Sequence, residues 1–157
     1  MSDPISASTF SANVAALTIN ITNDKGATVP LTILTRTTTP PQLNTLWPML
    51  SPMGKFKTNA VDTRQSCSAT PLWSTQWTAK YGYYHCPAGK MKLWQVDNVI
   101  SANVMAIRNA IALNCKALGV NDLAVAASEE TVVVQWADKK MYLGGTIDIR
   151  VLDYRNL

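Results

Sequence analysis

Apolar residues along the chain follow two periods, and the switches between them divide it into elements. Phe10, Val14 and Leu17 recur at helical spacing behind small polar residues that can cap a helix, so Ser6 to Leu17 predicts a short N-terminal helix. From Leu17 to Thr22 apolar and polar residues alternate, Asn23-Asp24-Lys25-Gly26 carries turn chemistry, and Val29 to Thr35 is β-branched again. That pattern predicts a hairpin, although the amphipathic face also permits the helix to run on to Thr22. Thr37-Thr38-Thr39-Pro40-Pro41 can be neither helix nor central strand, because consecutive prolines remove two donors and hold the preceding residue extended. It reads as a surface linker. Leu46-Trp47-Pro48-Met49-Leu50-Ser51-Pro52, apolar and broken by prolines, predicts an edge strand or an extended packing segment. Residues 58 to 71 are small and polar, the composition of an exposed loop or a projecting hairpin arm.

The second half is more regular. Trp73 to Cys86 is dense in aromatic and β-branched residues and stops at Pro87-Ala88-Gly89, which predicts one long strand. Trp77, Ala79, Tyr81, Tyr83 and His85 share its more apolar face, expected to point inward, and Thr78, Lys80, Gly82, Tyr84 and Cys86 share the other. Ile100, Val104, Ile107, Ile111 and Leu118 then lie on one helical stripe, with Asp97 placed as a cap and Gly119 as a left-handed stop. Ser101, Arg108, Asn109 and Lys116 occupy the opposite side. Leu123 to Ala127 can add a strand. Thr131 to Ala137 and Met141 to Tyr154 form a closing hairpin around Asp138-Lys139-Lys140, with Ile147, Ile149 and Val151 inward and Asp148 and Arg150 outward. Gly144-Gly145 marks a bulge or a close backbone approach. The order predicts a single α+β domain over residues 1–157: a mostly antiparallel sheet covered by one long amphipathic helix, with an N-terminal helix and extended arms.

Composition narrows the function classes. With 157 residues, 47% hydrophobic and 15% charged, the chain has the makeup of a packed domain and not of a disordered or fibrous one. No stretch approaches the ~20 apolar residues of a membrane helix, and Met1-Ser2-Asp3-Pro4 lacks the features of a secretory signal, so a soluble protein with no membrane partner is expected. Residues 36 to 92 hold seven basic residues and one acid, Asp62, against seven basic and nine acidic elsewhere. This band suits an acidic partner or a solvated surface. Cys67, Cys86 and Cys115 are too far apart for a zinc motif and form no disulfide framework, and the single His85 sits beside Cys86, where a strand sends neighbouring side chains to opposite faces. Glu129-Glu130 reads as a solvated turn, and the glycine pair precedes a strand, so it is no phosphate loop. No catalytic, metal or cofactor site is expected. Of five tryptophans, Trp73 and Trp77 flank the polar 58–71 segment, where they can anchor a partner.

The order of these segments resembles the tail terminator proteins of long-tailed, siphovirus-type bacteriophages. The likeness lies in the N-terminal helix, the Pro40-Pro41 linker, the Leu46–Pro52 segment, the aromatic strand from Trp77 to Pro87, the long helix from Asp97 to Leu118, and Tyr142-Leu143-Gly144-Gly145 leading into Ile147-Asp148-Ile149-Arg150-Val151. The resemblance implies a non-enzymatic virion protein, made in the host cytoplasm, that forms a homo-oligomeric ring, a hexamer, on the head-proximal end of the tail. There it would halt addition of tail tube protein and offer a docking surface to the neck or head-tail connector, with genomic DNA passing through the lumen without specific binding. Lys55, Lys57, Arg64, Trp73 and Trp77 are the candidate partner-interface residues. The alternatives are another neck, head-completion or tail-tube component, a single-stranded nucleic-acid binding module that stacks bases on the tyrosine strand, or a cysteine hydrolase.

Overall fold

The computed structural model describes residues 7–35, 48–53, 57–64, 72–89, 91–120, 122–127, 132–135 and 141–156. In chain order the elements are α1 (Ala7–Ala15), β1 (Asn20–Thr22), β2 (Thr28–Pro30), β3 (Thr32–Ile33), β4 (Met49–Pro52), β5 (Lys57–Arg64), β6 (Leu72–Pro87), α2 (Leu93–Leu113), β7 (Asp122–Ala127), β8 (Val132–Gln135) and β9 (Met141–Asn156). The fold is α+β, with two helices among the described residues and a mostly antiparallel sheet. That sheet runs β3-β4-β6-β9-β7, with β5 joined to β6 and β8 to β9, while β1 and β2 form a separate hairpin. Among the described strand pairs, β3/β4 alone is parallel.

β6 and β9, each 16 residues long, form the spine. Their antiparallel register is unbroken from Leu72↔Asn156 to Tyr84↔Gly144, then shifts between Tyr84 and Cys86. The glycine pair explains why the spine can be packed on both sides. A Cβ on Gly144 would overlap the backbone carbonyl oxygen of Tyr83, and one on Gly145 would stand 2.6 Å from Cγ2 of Val104 in α2. The close approach expected at Gly144-Gly145 is therefore present, and the bulge lies in the partner strand.

Burial follows the predicted alternation on the α2 side. Ala79, Tyr81, Tyr83, Ile147, Ile149 and Val151 are buried in one cluster with Val96, Ile100, Val104, Ile107 and Ile111 of α2 and with Phe10 and Val14 of α1. All five residues of the predicted helical stripe, Leu118 included, are at most 1% exposed. On the other side of the sheet a smaller cluster of Leu34, Met49, Tyr84 and Tyr142 packs against Met53, with the two tyrosine rings edge to face at 5.8 Å. Both faces of β6 are thus buried around residues 81–86, more than one inward face would give.

Two local expectations are corrected, and an alternative left open at the N-terminus falls away. The long helix does not start at Asp97: Lys92 is its extended N-cap, and Gln95 Oε1 accepts the Lys92 N–H at 3.0 Å, closing the first turn earlier. Asp97 lies inside the helix and accepts the N–H of Asn98. Regular helix ends at Leu113, and a further turn leads to Gly119 at φ +75°. Of the Leu46–Pro52 segment, residues 46 and 47 lie outside the described residues, and Met49–Pro52 is no edge strand, because β3 pairs with Met49 and Leu50 on the side away from β6. Its prolines permit this: Pro48 precedes the strand and Pro52 ends it, leaving the donors between them intact. At the N-terminus the hairpin is present and α1 stops at Ala15, so the helix does not extend to Thr22. The Asn23 side chain holds the turn by accepting the N–H groups of Lys25 and Ala27. The 37–41 linker, residues 65–71 and Glu129-Glu130 lie outside the described residues. Within 58–71, Thr58 to Arg64 belong to β5, which pairs antiparallel with Leu72–Thr78 as a hairpin.

The glycine geometry sets a test. Gly145→Ala should destabilise the fold by about 2 kcal/mol because β-branched Val104 cannot swing away. Val104→Ala in the same chain should recover part of that loss, giving a coupling near 1 kcal/mol in urea unfolding followed by circular dichroism. Gly144→Ala meets backbone instead, so Val104→Ala should not rescue it. Strict additivity of Gly145→Ala and Val104→Ala would show that they do not touch.

Candidate functional site

The β5/β6 hairpin collects four of the five predicted interface residues; Lys55 lies outside the described residues. The register sets Thr58 opposite Trp77 and Thr63 opposite Trp73, with Lys57 opposite Thr78 and Arg64 opposite Leu72. Because cross-strand partners share a face and alternate residues share a face, Trp73 and Trp77 occupy positions on the face that also holds Ala79, Tyr81 and Tyr83. Lys57 and Arg64 occupy positions on the other. The hairpin therefore brings Lys57 within one register step of Trp77, and Arg64 within one step of Trp73, but divides cations and tryptophans between the two faces. β9 continues beside this hairpin, pairing Trp73 with Arg155 and Trp77 with Val151. Over Leu72–Thr75, beyond the end of the β7 pairing at Leu152, the sheet continues as a three-stranded arm of β5, β6 and β9.

Nearer the core, the face opposite α2 holds a groove of about 660 Å³, floored by Ala124 and Ala126 and bordered by Met53, Thr78, Lys80, Asp148 and Arg150. Lys80 stands opposite Asp148, and Thr78 opposite Arg150. The three charged residues are exposed, as predicted for Asp148 and Arg150. Their signs alternate, so the groove presents no continuous run of one charge.

The sequence's one histidine belongs to a buried polar chain. Asn103 Oδ1 accepts the Thr22 N–H at 3.0 Å while its Nδ2 donates to the Thr22 carbonyl at 2.7 Å and to the Tyr83 hydroxyl at 2.9 Å. The hydroxyl lies 2.8 Å from His85 Nδ1. The amide of Asn103 thus pairs with β1 as a neighbouring strand would. Sequence reasoning missed Asn103. The signal available was a polar residue inside the stripe, three positions after Ile100 and four before Ile107. Both His85 and Cys86 are buried, with 1% exposure each, which keeps a substrate from them. Cys115 lies beyond the far end of α2, whose last residue is roughly 15 Å of helix axis past Asn103, and its thiol donates to the Val120 carbonyl at 3.3 Å. Cys67 lies outside the described residues. Among the described residues no group of three His, Cys, Asp or Glu side chains is placed to hold a metal ion, and no helix is long and apolar enough to cross a membrane.

A scan against known protein families finds no match for this chain, and a search of curated proteins finds no relative. The functional reading therefore rests on residues and geometry.

Burial also shifts the two central tyrosines. Tyr81 is pushed up to about 12 from the ordinary 10, by loss of solvent and against a hydrogen bond from Ser11 that lowers it. Tyr83 is raised as well, by burial first, with Asn103 opposing and Cys86 adding to the rise. For an acid raised in the folded state, both states are protonated below pH 9 and stability is flat there. Above pH 10 the unfolded chain loses its protons first, so stability falls until the folded tyrosine also ionises. Tyr81 alone removes about 3 kcal/mol between pH 10 and about 12. Phenolate absorbance of the folded protein should show these two tyrosines ionising well above the ordinary 10, Tyr81 at about 12; all five ionising near pH 10 in the folded state would contradict the burial assigned here.

Proposed function

We propose that this chain is a tail terminator of a long-tailed phage: a virion subunit that closes the head-proximal end of a tail tube as a ring, stops further polymerisation and presents a docking surface to the neck. The observation that carries the reading is the order of elements, with an N-terminal helix, a long aromatic strand, a long helix and a glycine-marked closing strand in the succession that the resemblance requires. In this reading α2 is an amphipathic cover over one face of the sheet, and the β5/β6/β9 arm reaches a neighbouring subunit or the tube. A terminator acts by contact alone. It needs one surface complementary to the last tube ring and another that rejects a tube subunit, so specificity resides in shape and in mismatched surfaces, not in a reacting group. Ring contacts between identical subunits are heterologous and close by rotation, which favours an extension on one side that can engage a neighbour. The alternating charges of the open groove fit this better than a nucleic-acid binding face, which tracks phosphates with cations of one sign.

Electron microscopy of the purified protein mixed with isolated tail tubes tests the proposal, with mass in solution measured alongside. A ring at one tube end supports the terminator. Decoration along the whole tube would make the chain a tube component, binding to capsid portals alone a head-completion protein, and a monomer that ignores tails would end the virion reading. Trp73→Ala should abolish capping while leaving the thermal melt within about 2 °C if the arm is the contact. Loss of the folded state instead would place Trp73 in the core.

A further inference from the structure

The outer side of α2 differs from that of an ordinary surface helix. Its 21 residues include two charged ones, Asp97 and Arg108. Val96, Ile100, Val104, Ile107 and Ile111 are buried in the core, and the positions opposite them on a 3.6-residue turn are Trp94, Asn98, Ala102, Met105, Asn109 and Leu113. None of these six is charged, although that is the side where a solvated helix usually carries its charges. Trp94 is 71% and Leu113 84% exposed, with Asn98, Ala102 and Asn109 exposed and Met105 half-buried between them. Large apolar side chains left in water mark a surface that another molecule covers.

The spacing of these residues points to what covers it. Their intervals are four, four, three, four and four, a series that reads the same in both directions. A second α2 laid antiparallel on the first therefore meets it in register: Trp94 faces Leu113 of the copy, Asn98 faces Asn109, and Ala102 faces Met105. Each pair is matched in kind, indole on leucine, amide on amide, small side chain on long. The two charges fit the same arrangement. Asp97 and Arg108 are eleven residues apart, close to three full turns, so they share one flank of the helix but lie about 16 Å apart along its axis, beyond each other's reach. In the antiparallel pair Asp97 stands within about 3 Å, measured along the axis, of the level of Arg108 on the copy and on the same flank, and the two-fold repeats the contact. Parallel packing would keep both Asp97 at one level and both Arg108 about 16 Å away, so that no acid met a base. We propose that a second copy of this chain docks on α2, packing its own α2 antiparallel about a two-fold axis. One helix face is small beside a standard interface, so association in the micromolar range is expected. The contact is isologous. It doubles whatever mass the chain otherwise has, a single chain or a closed ring, and does not depend on the capping reading.

Sedimentation equilibrium of the full-length protein at up to about 100 µM tests the proposal. The wild type should show a reversible doubling of mass. Asp97→Arg or Arg108→Asp alone sets like charges against each other at both contacts and should weaken that step about tenfold. An equimolar mixture of the two variants restores two opposite pairs and should recover the wild-type constant to within about threefold. Recovery on mixing also shows that both variants fold. Leu113→Ala should weaken the doubling about fivefold with unchanged circular dichroism, since the side chain is exposed. No doubling across that concentration range, doubling that both reversals leave intact, or a defect in folded variants that mixing does not repair would each overturn the proposal. A closed ring whose mass neither reversal changes would support capping and overturn the two-fold contact.

Discussion

The pairing of β6 with β9 is the constraint from which the other features follow. Two 16-residue strands in one register fix which residues of each face meet, and a slip of one residue would send Ile147, Ile149 and Val151 to the solvent side. Gly144 and Gly145 lock that register, since only at these positions can the Tyr83 carbonyl and the Val104 side chain come so close. The shift between Tyr84 and Cys86 is adjacent to the glycines. It allows Cys86 to join the α2-side cluster although unbroken alternation would send it to the opposite face.

On this spine the rest is attached by specific contacts more than by extra area. Asn103 ties α2 to β1 by imitating a strand partner, and Asn13 donates to the Leu118 carbonyl, fastening α1 to the turn after α2. The parallel β3/β4 pair adds the second small cluster through Leu34 and Met49. A buried side-chain amide with partners on both its oxygen and its nitrogen costs little desolvation and excludes alternative packings that leave it unmatched.

Where one period dominated, the sequence was easily read. The helical stripe from Ile100 to Leu118, the long aromatic strand and the inward set of the last strand all lie where alternation and 3.6-residue spacing put them. Helix limits were less legible, because the start depends on Gln95 bonding backward rather than on Asp97, and the last turn continues past the regular helix to a glycine. The place of β4 was obscured by proline: a rule about donors applies residue by residue, and both prolines fall at harmless positions. Of the candidate interface, the sequence located the hairpin but not its register. Whether Trp73 and Lys57 share a face depends on the irregularity between Thr58 and Ala60, which no periodicity announces.

The molecule is thus a packed middle between two differently equipped ends, an arm of paired strands at one and the exposed Trp94 and Lys92 at the other. Each lies on the ladder, so its position is only as firm as the ladder itself. Residue-resolved hydrogen exchange of the free protein measures that firmness directly. Amides of residues 79–84 and 144–151 that bond across the β6/β9 pair should be the slowest to exchange, opening only with global unfolding, with protection falling toward Leu72 and Asn156. Equally slow exchange confined to α2, with β6 and β9 opening first, would contradict the view that this strand pair carries the fold.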